Sequence, residues 1–162
     1  MSVNLFIIHL ILYFQFKLFF FILNIYFGQI WIEYIFTGGA HGNSIFSLSS
    51  FNLKTGEQIK LEDIFYGDFK KRLNEEGEKI FRNEYSADSS QSLYDQGYFG
   101  FENGFALNEN FDLYNGGIKF QFNQYEAGAY VLGAPEVFIP WSKITDIIRP
   151  DGIVSEMIKW DK

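Results

Sequence analysis

Short segments rich in aromatic and β-branched residues alternate with glycine turns, and this pattern limits the fold more than any other feature. The turn Asn115-Gly116-Gly117 separates residues 110–114 from residues 118–122, and the second segment, Ile-Lys-Phe-Gln-Phe, alternates apolar and polar side chains. Two such segments joined by a short glycine turn are typical of a β-hairpin. Lys54-Thr55-Gly56-Glu57 follows residues 45–53 in the same way, with Gly56 expected in the left-handed backbone region.

One helix and several further strands complete the predicted secondary structure. Phe69, Leu73, Ile80 and Phe81 fall on one helical face, which predicts a helix over residues 69–83 with Asp68 as its N-cap. A second, short helix is predicted over residues 141–148. The predicted strands are 28–36, 45–53, 58–61, 101–107, 110–114, 118–122 and 136–140. Hairpins with a helix between them indicate an α+β fold: a mainly antiparallel sheet with a helix packed on one face and a short C-terminal helix.

Residues 5–27 form a nearly continuous apolar run with Lys17 near its middle. About twenty apolar residues span a bilayer as a helix, and a central lysine costs about 2.5–3.5 kcal/mol, which the many Phe, Leu and Ile residues offset. We therefore favour a membrane anchor over two alternatives. One is a buried strand or helix of the domain, and the other is an error in the gene model, in which AT-rich DNA upstream of the true start has been translated. The resulting division is a hydrophobic segment (1–28), an α+β domain (29–150) and a weakly ordered tail (151–162).

The charge and the missing cysteines exclude several classes of function. A formal net charge of −7 would repel nucleic-acid phosphates. The same charge favours a basic protein partner, unless it serves only solubility. The sequence contains no Cys, which excludes disulfides, thiolate metal sites, cysteine nucleophiles and a lipoprotein anchor.

Five ordered segments between residues 30 and 148 resemble a known domain. They are Phe-Thr-Gly-Gly-Ala-His-Gly (36–42), Phe-Asn-Leu-Lys-Thr-Gly (51–56), Leu-Glu-Asp-Ile-Phe (61–65), Gly-Ile-Lys-Phe-Gln-Phe-Asn-Gln-Tyr-Glu (117–126, with Ala129, Tyr130 and Gly133) and Val-Phe-Ile-Pro-Trp (137–141). The set resembles the conserved domain of RsiV-type anti-sigma factors, which also occurs beside the catalytic domain of PdaC-type peptidoglycan deacetylases. Two departures are Ala129, where the family has Pro, and the apolar run, where the family has further strands.

The resemblance implies a binding or sensing domain outside the cytoplasm, with a basic protein such as lysozyme as its candidate ligand. An accessory role beside a peptidoglycan deacetylase is the alternative. The resemblance carries over no catalytic residue, because deacetylation belongs to a separate domain. We therefore expect no enzymatic activity and no cofactor.

The candidate binding residues lie in two of these segments. His41 stands in a turn with Gly38, Gly39 and Gly42, where a metal-ligand or general-base role competes with a structural one. The only other histidine is His9 in the apolar run, so we predict a structural role and no metal site.

Further polar and aromatic residues follow the strand over 118–122. Tyr125, Glu126 and Tyr130 lie there as candidate binding residues. Tyr125 and Glu126, with His41, Glu62 and Asp63, are candidates for lining one end of the sheet. A polar loop over 85–100 also carries aromatic residues, which either form an interface or fold back on the core; they are Tyr94, Tyr98, Phe99 and, just beyond, Phe101.

Overall fold

The computed structural model of this chain describes residues 14–18, 22–23, 26–36, 38 and 41–160. Within these residues the chain forms two antiparallel sheets and three α-helices, which confirms the predicted α+β fold. Gly39, one of the predicted site residues, lies outside the described residues.

The first sheet is built on one long hairpin. Its two strands pair along their whole length, from Tyr26 opposite Asn52 to Ile35 opposite Asn43. Two shorter strands pair with the other edge of the first hairpin strand. These four strands are β1 Phe14–Leu18, β2 Ile22–Leu23, β3 Tyr26–Ile35 and β4 Asn43–Asn52. The predicted strands 28–36 and 45–53 are thus confirmed, with ends that differ by one or two residues.

The described part of the apolar run is β-structure. β1, β2 and the start of β3 lie within residues 5–27, so these described residues are strands, whereas the membrane-anchor prediction expects a helix there. The edge of β3 offers a hydrogen-bonding partner, and aromatic and β-branched residues favour strands when such a partner is present. No helix among the described residues is long and apolar enough to cross a membrane. The predicted boundary after residue 28 lies inside β3.

The second sheet has three antiparallel strands in chain order. Its first hairpin turns at Asn115 and Gly116, as predicted, and the third strand pairs with the second from Pro140 opposite Gly117 to Glu136 opposite Gln121. The strands are β5 Phe111–Tyr114, β6 Gly117–Gln121 and β7 Glu136–Pro140. The strand predicted over 101–107 is wrong, because a 3₁₀ turn (Phe99–Phe101) and irregular chain occupy that region. The return strand predicted over 58–61 is only a single bridge from Gln58 to Phe51.

The central helix supplies much of the core, and Leu61–Ile64 forms a short helix before it. These helices are α1, Leu61–Ile64, and α2, Phe69–Glu84, which agrees with the predicted helix over 69–83. Asp68 is the N-cap residue of α2, but its side chain makes no capping hydrogen bond. Gly77 faces the core because a Cβ there would press on Phe105 and Leu107. The fully buried Phe81 packs against five rings, those of Tyr85, Tyr98, Phe101, Phe105 and Phe122.

The C-terminal region differs from the prediction in two ways. The helix predicted over 141–148 is a pair of 3₁₀ turns, Trp141–Lys143 and Thr145–Ile147. The short C-terminal helix lies later, where a weakly ordered tail was predicted: α3, Ile153–Trp160. It forms there because Val154 and Met157 fall on one helical face and are both buried in the core.

Candidate functional site

Three aromatic side chains meet at the surface near the turn between β3 and β4. The imidazole of His41 stacks on the ring of Tyr130, with centroids 3.7 Å apart and planes 16° apart. The Tyr125 hydroxyl lies 3.4 Å from His41 Nε2, and the Tyr125 ring lies 5.8 Å from the ring of Tyr130. With Val131, which is 94% exposed, these residues form what we call the aromatic cluster. The structure thus brings together the predicted residues His41, Tyr125 and Tyr130.

Side-chain amides hold the two halves of the cluster together. Backbone N–H groups on the free edge of β4 donate to side chains from the far end of the second sheet: Ser44 to Gln124 Oε1 at 2.8 Å, and Phe46 to Asn123 Oδ1 at 2.7 Å. A third amide, Asn110, accepts from Leu48 N at 2.7 Å. These bonds fix Tyr125, the next residue in the chain, beside the start of β4, where His41 lies.

Tyr125 has a strained backbone. Its φ is 68°, in the left-handed region that residues other than Gly, Asn and Asp rarely adopt. The turn around it is closed by Glu126, whose N–H donates to Asn123 O and whose Oε2 accepts from Asn123 N at 2.7 Å. Backbone strain of this kind costs about 1–3 kcal/mol and is concentrated at functional sites. The strain therefore marks Tyr125 as a residue held in place by its surroundings.

Glu126 remains exposed although both carboxylate oxygens accept hydrogen bonds. Oε2 accepts from the Asn123 backbone, and Oε1 accepts from Asn108 Nδ2 at 2.8 Å. Both donors are uncharged, so the carboxylate is oriented without being neutralised. The predicted residue Glu126 thus stands next to the aromatic cluster as a fixed negative charge.

The described glycines of the predicted turn permit an unusual backbone conformation and close packing of a ring. Gly38 has a φ of 95°, which only glycine adopts readily. A Cβ on Gly42 would overlap the ring of Tyr34, so the absence of a side chain lets that ring lie against the turn. His41 Nδ1 lies 3.3 Å from the carbonyl oxygen of Gly42. Both ring nitrogens of His41 therefore have neighbours within the fold, which favours a structural role for its imidazole.

Glu62 and Asp63 do not join the cluster. Asp63 Oδ2 accepts from Lys60 N at 2.8 Å and closes the first turn of α1, while the carbonyl of Glu62 accepts from Arg149 Nε. α1 follows the end of β4, whereas His41 precedes its start, and a ten-residue strand is about 30 Å long. In the part of the chain that the structure describes, no three His, Cys, Asp or Glu side chains are grouped to hold a metal ion.

The aromatic residues of the loop divide between the two predicted roles. Tyr98 and Phe101 fold back on Phe81, each with a centroid distance of 5.2 Å, whereas Tyr94 and Phe99 are exposed. The loop contacts residues 125–131, which contain three members of the aromatic cluster, through a hydrogen bond from Gly100 N to Ala127 O. The exposed loop rings thus belong to a chain segment that lies beside residues 125–131.

The net negative charge of the protein falls on one segment of the sequence, which includes Tyr125 and Glu126. Residues 83–142 contain eight acidic residues and one basic residue, which accounts for the whole net charge of −7. Seven of these acidic residues are exposed and one, Asp112, is buried. A count of charges along the chain reveals this segment from sequence alone, whereas nothing in the sequence indicates that Val131 is exposed.

Asp112 lies where the two sheets meet, and its hydrogen bonds help to hold them together. Its Oδ1 accepts from Ser50 Oγ at 2.5 Å and from Leu113 N at 2.9 Å. The Tyr26 hydroxyl donates to Leu113 O beside it. Burial raises the pKa of the Asp112 carboxyl, and the bonds from Ser50 and Leu113 only partly oppose that effect. A Cβ on Gly28 would overlap this carboxylate, so the glycine allows the close approach of β3 and β5.

Comparison with known proteins identifies the domain. The family model described as protein of unknown function (DUF3298) matches residues 62–142. The crystal structure of a DUF3298 family member from Bacteroides fragilis is 26% identical, with a TM-score of 0.75 over 91% of this chain and 57% of that protein. A DUF3298 family protein from Pseudomonas aeruginosa has the same fold at 19% identity, with a TM-score of 0.63 over 77% of this chain and 56% of that protein.

The chain spans a little over half the length of both solved proteins. A search of the curated proteins found no match. The predicted domain of unknown function is confirmed by the family model and by both structures, and the chain belongs to the DUF3298 family.

Proposed function

We propose that this chain is a non-catalytic binding or sensing domain of the cell envelope, and that it recognises a basic protein such as lysozyme through the aromatic cluster. The resemblance to the RsiV-type domain supplies the ligand class. The cluster supplies a surface on which such a ligand would bind. The acidic residues of segment 83–142 supply a negative charge that complements the positive charge of a basic protein.

The exposed side chains of Tyr125 and Val131 carry the proposal. Tyr125 is 47% exposed and Val131 is 94% exposed, and neighbouring hydrogen bonds and a ring stack constrain the chain around them. Tyrosine is enriched among the residues that contribute most to protein–protein affinity. Rings that are already ordered lose little conformational entropy on binding.

The charge distribution favours a basic partner over the cell-wall polymer. The carboxylates of Asp95 and Glu126 accept hydrogen bonds from uncharged groups, so their negative charge is not neutralised by those contacts. A field of one sign raises the association rate of an oppositely charged protein and is screened by salt. Peptidoglycan, which carries carboxylates of its own, would gain no such attraction.

Titration with hen lysozyme tests the proposal. We expect wild-type protein to bind and Tyr125→Ala or Tyr130→Ala to weaken binding by about fivefold or more, the loss expected when a contributing interface tyrosine is truncated. Tyr66→Ala is the matched control, because Tyr66 is 48% exposed and lies outside the cluster, next to Asp146. Affinity should also fall between 50 and 300 mM salt. Undetectable binding by the wild type, or equal losses in Tyr66→Ala, would contradict the proposal.

The accessory role beside a peptidoglycan deacetylase has one observation in its favour. Flat exposed rings such as Tyr125 also pack against the C–H faces of sugars. Soluble peptidoglycan fragments are therefore the second probe in the same titration. Binding of these fragments in a Tyr125-dependent manner, without binding of lysozyme, would favour the accessory role.

The extracytoplasmic location and a membrane association through residues 5–27 are part of the proposal. They rest on the resemblance and on the apolar composition of that segment. Fractionation of cells that express the full chain, with mass-spectrometric mapping of its N-terminus, tests both. Recovery in the cytosolic fraction would contradict the location, and a start beyond residue 27 would contradict the anchor.

A further inference from the structure

We infer that the aromatic cluster selects arginine over lysine side chains on its partner, with the guanidinium stacked on Tyr125 and bonded to Glu126. This inference rests on the proposed function and makes its ligand chemistry specific. The three supporting observations are a ring with an accessible face, a carboxylate with unused acceptor capacity, and a stack that already exists in the cluster.

The first observation concerns the accessible ring. Tyr125 contacts His41 and Tyr130, and about half of its surface remains exposed. A cation placed over an exposed aromatic face gains about 0.5–1 kcal/mol, equivalent to a two- to fivefold gain in affinity. This gain is available to any cation, so it does not by itself distinguish the two basic side chains.

The second observation concerns Glu126. Each of its carboxylate oxygens accepts one hydrogen bond, from Asn108 Nδ2 or Asn123 N. A carboxylate has about four lone-pair positions, so one remains on each oxygen. Two parallel acceptors match the planar donor fork of arginine, whereas an ammonium group acts as a point charge. The carboxylate is oriented before the ligand arrives, because its two neutral donors fix its plane.

The third observation is the stack of His41 on Tyr130. A planar nitrogen-containing ring lies 3.7 Å above a tyrosine ring, with the two planes only 16° apart. The cluster therefore already contains one planar nitrogen group packed face to face on tyrosine. A guanidinium is planar and stacks on aromatic faces in the same manner, and a tetrahedral ammonium cannot.

Two labelled peptides of equal length and charge test the inference. One contains three arginines separated by glycine pairs, and the other has lysine at the same positions. We expect the arginine peptide to bind the wild-type protein about tenfold more tightly in fluorescence anisotropy titrations, since the stack and the second hydrogen bond add to the shared charge attraction. Tyr125→Leu and Glu126→Gln should bring the ratio of the two affinities close to one.

Control variants separate recognition from loss of folding. Tyr125→Phe keeps the ring and should keep the preference. Tyr66→Leu and Glu57→Gln, at exposed positions outside the cluster, should leave both affinities unchanged. Equal affinity of the wild type for the two peptides would overturn the inference, as would a preference that survives Tyr125→Leu.

The outcomes also distinguish this inference from the proposed function. Tyr125-dependent lysozyme binding with no preference for arginine peptides would overturn only the arginine inference. A preference for arginine without lysozyme binding would support the inference and exclude lysozyme as the ligand. Binding of neither peptide nor lysozyme would overturn both.

Discussion

The left-handed backbone of Tyr125 leads to a stability prediction that does not depend on the ligand. An L-residue in this region carries about 1–2 kcal/mol of steric strain, which glycine avoids because it has no Cβ. Tyr125→Ala keeps that strain and removes the ring, whereas Tyr125→Gly removes both. The difference between the two variants therefore depends on the strain at a φ of 68° and not on the ring.

Glycine also has a cost, because the unfolded chain gains about 0.5–1 kcal/mol of conformational entropy at that position. Subtracting the midpoint of this cost from the midpoint of the strain leaves Tyr125→Gly more stable than Tyr125→Ala by about 0.75 kcal/mol. Urea denaturation followed by tryptophan fluorescence measures the difference, since the buried Trp141 reports loss of the core. With a slope of about 2 kcal/mol per molar urea, the midpoints should differ by about 0.3–0.5 M.

The same pair of substitutions at Tyr130 is the matched control. Among the described non-glycine residues, positive φ occurs only at Ser86 and Tyr125, so Tyr130 has an ordinary backbone. There the order should reverse, with alanine more stable than glycine by about 0.5–1 kcal/mol. If alanine is as stable as glycine at position 125, or if both positions give the same order, Tyr125 is not strained and the reasoning fails.

Three further predictions test other parts of the structure. Ser86→Gly should raise the free energy of unfolding by about 0.5–1 kcal/mol in urea denaturation and leave lysozyme binding unchanged, because its φ of 53° is strained outside the cluster. Phe81→Ala should lower that free energy by about 3–5 kcal/mol in the same assay, because the ring is fully buried among five others. Burial raises the pKa of Asp112, so the contribution of this carboxyl to stability is lost as the pH rises from acid toward neutral; relative to the wild type, Asp112→Asn should gain stability over this pH range in the same assay.

Local patterns explain which elements could be predicted from the sequence. The hairpin at Asn115 and Gly116 and the helix α2 follow from turn residues and helical spacing, which act within a few residues. The strand predicted over 101–107 failed because Phe101 and Phe105 pack on Phe81, twenty or more residues away. That packing favours a compact turn over an extended chain. The tail prediction failed over residues 153–160 for a similar reason, since Val154 and Met157 become apolar contacts only once the core exists.

The candidate site was predictable in its residues but not in its geometry. His41, Tyr125, Glu126 and Tyr130 were all named from the sequence, whereas Glu62 and Asp63 were grouped with them wrongly. The bonds that join Ser44 to Gln124 and Phe46 to Asn123 link residues 80 and 77 positions apart. No local pattern indicates such a pairing, because asparagine and glutamine also occur in loops where their side chains face solvent.

The same amide side chains stabilise the sheet and hold the aromatic cluster in position. An edge strand such as β4 normally leaves alternate N–H groups open to a second chain, which invites aggregation. Here Gln124, Asn123 and Asn110 occupy those groups at Ser44, Phe46 and Leu48. The bonds that close the edge also hold Tyr125 in its left-handed conformation beside His41. The backbone strain of Tyr125 is therefore offset by hydrogen bonds that also close the edge of β4. A ligand that binds the cluster meets rings that are already in position, so that little conformational entropy is lost on binding.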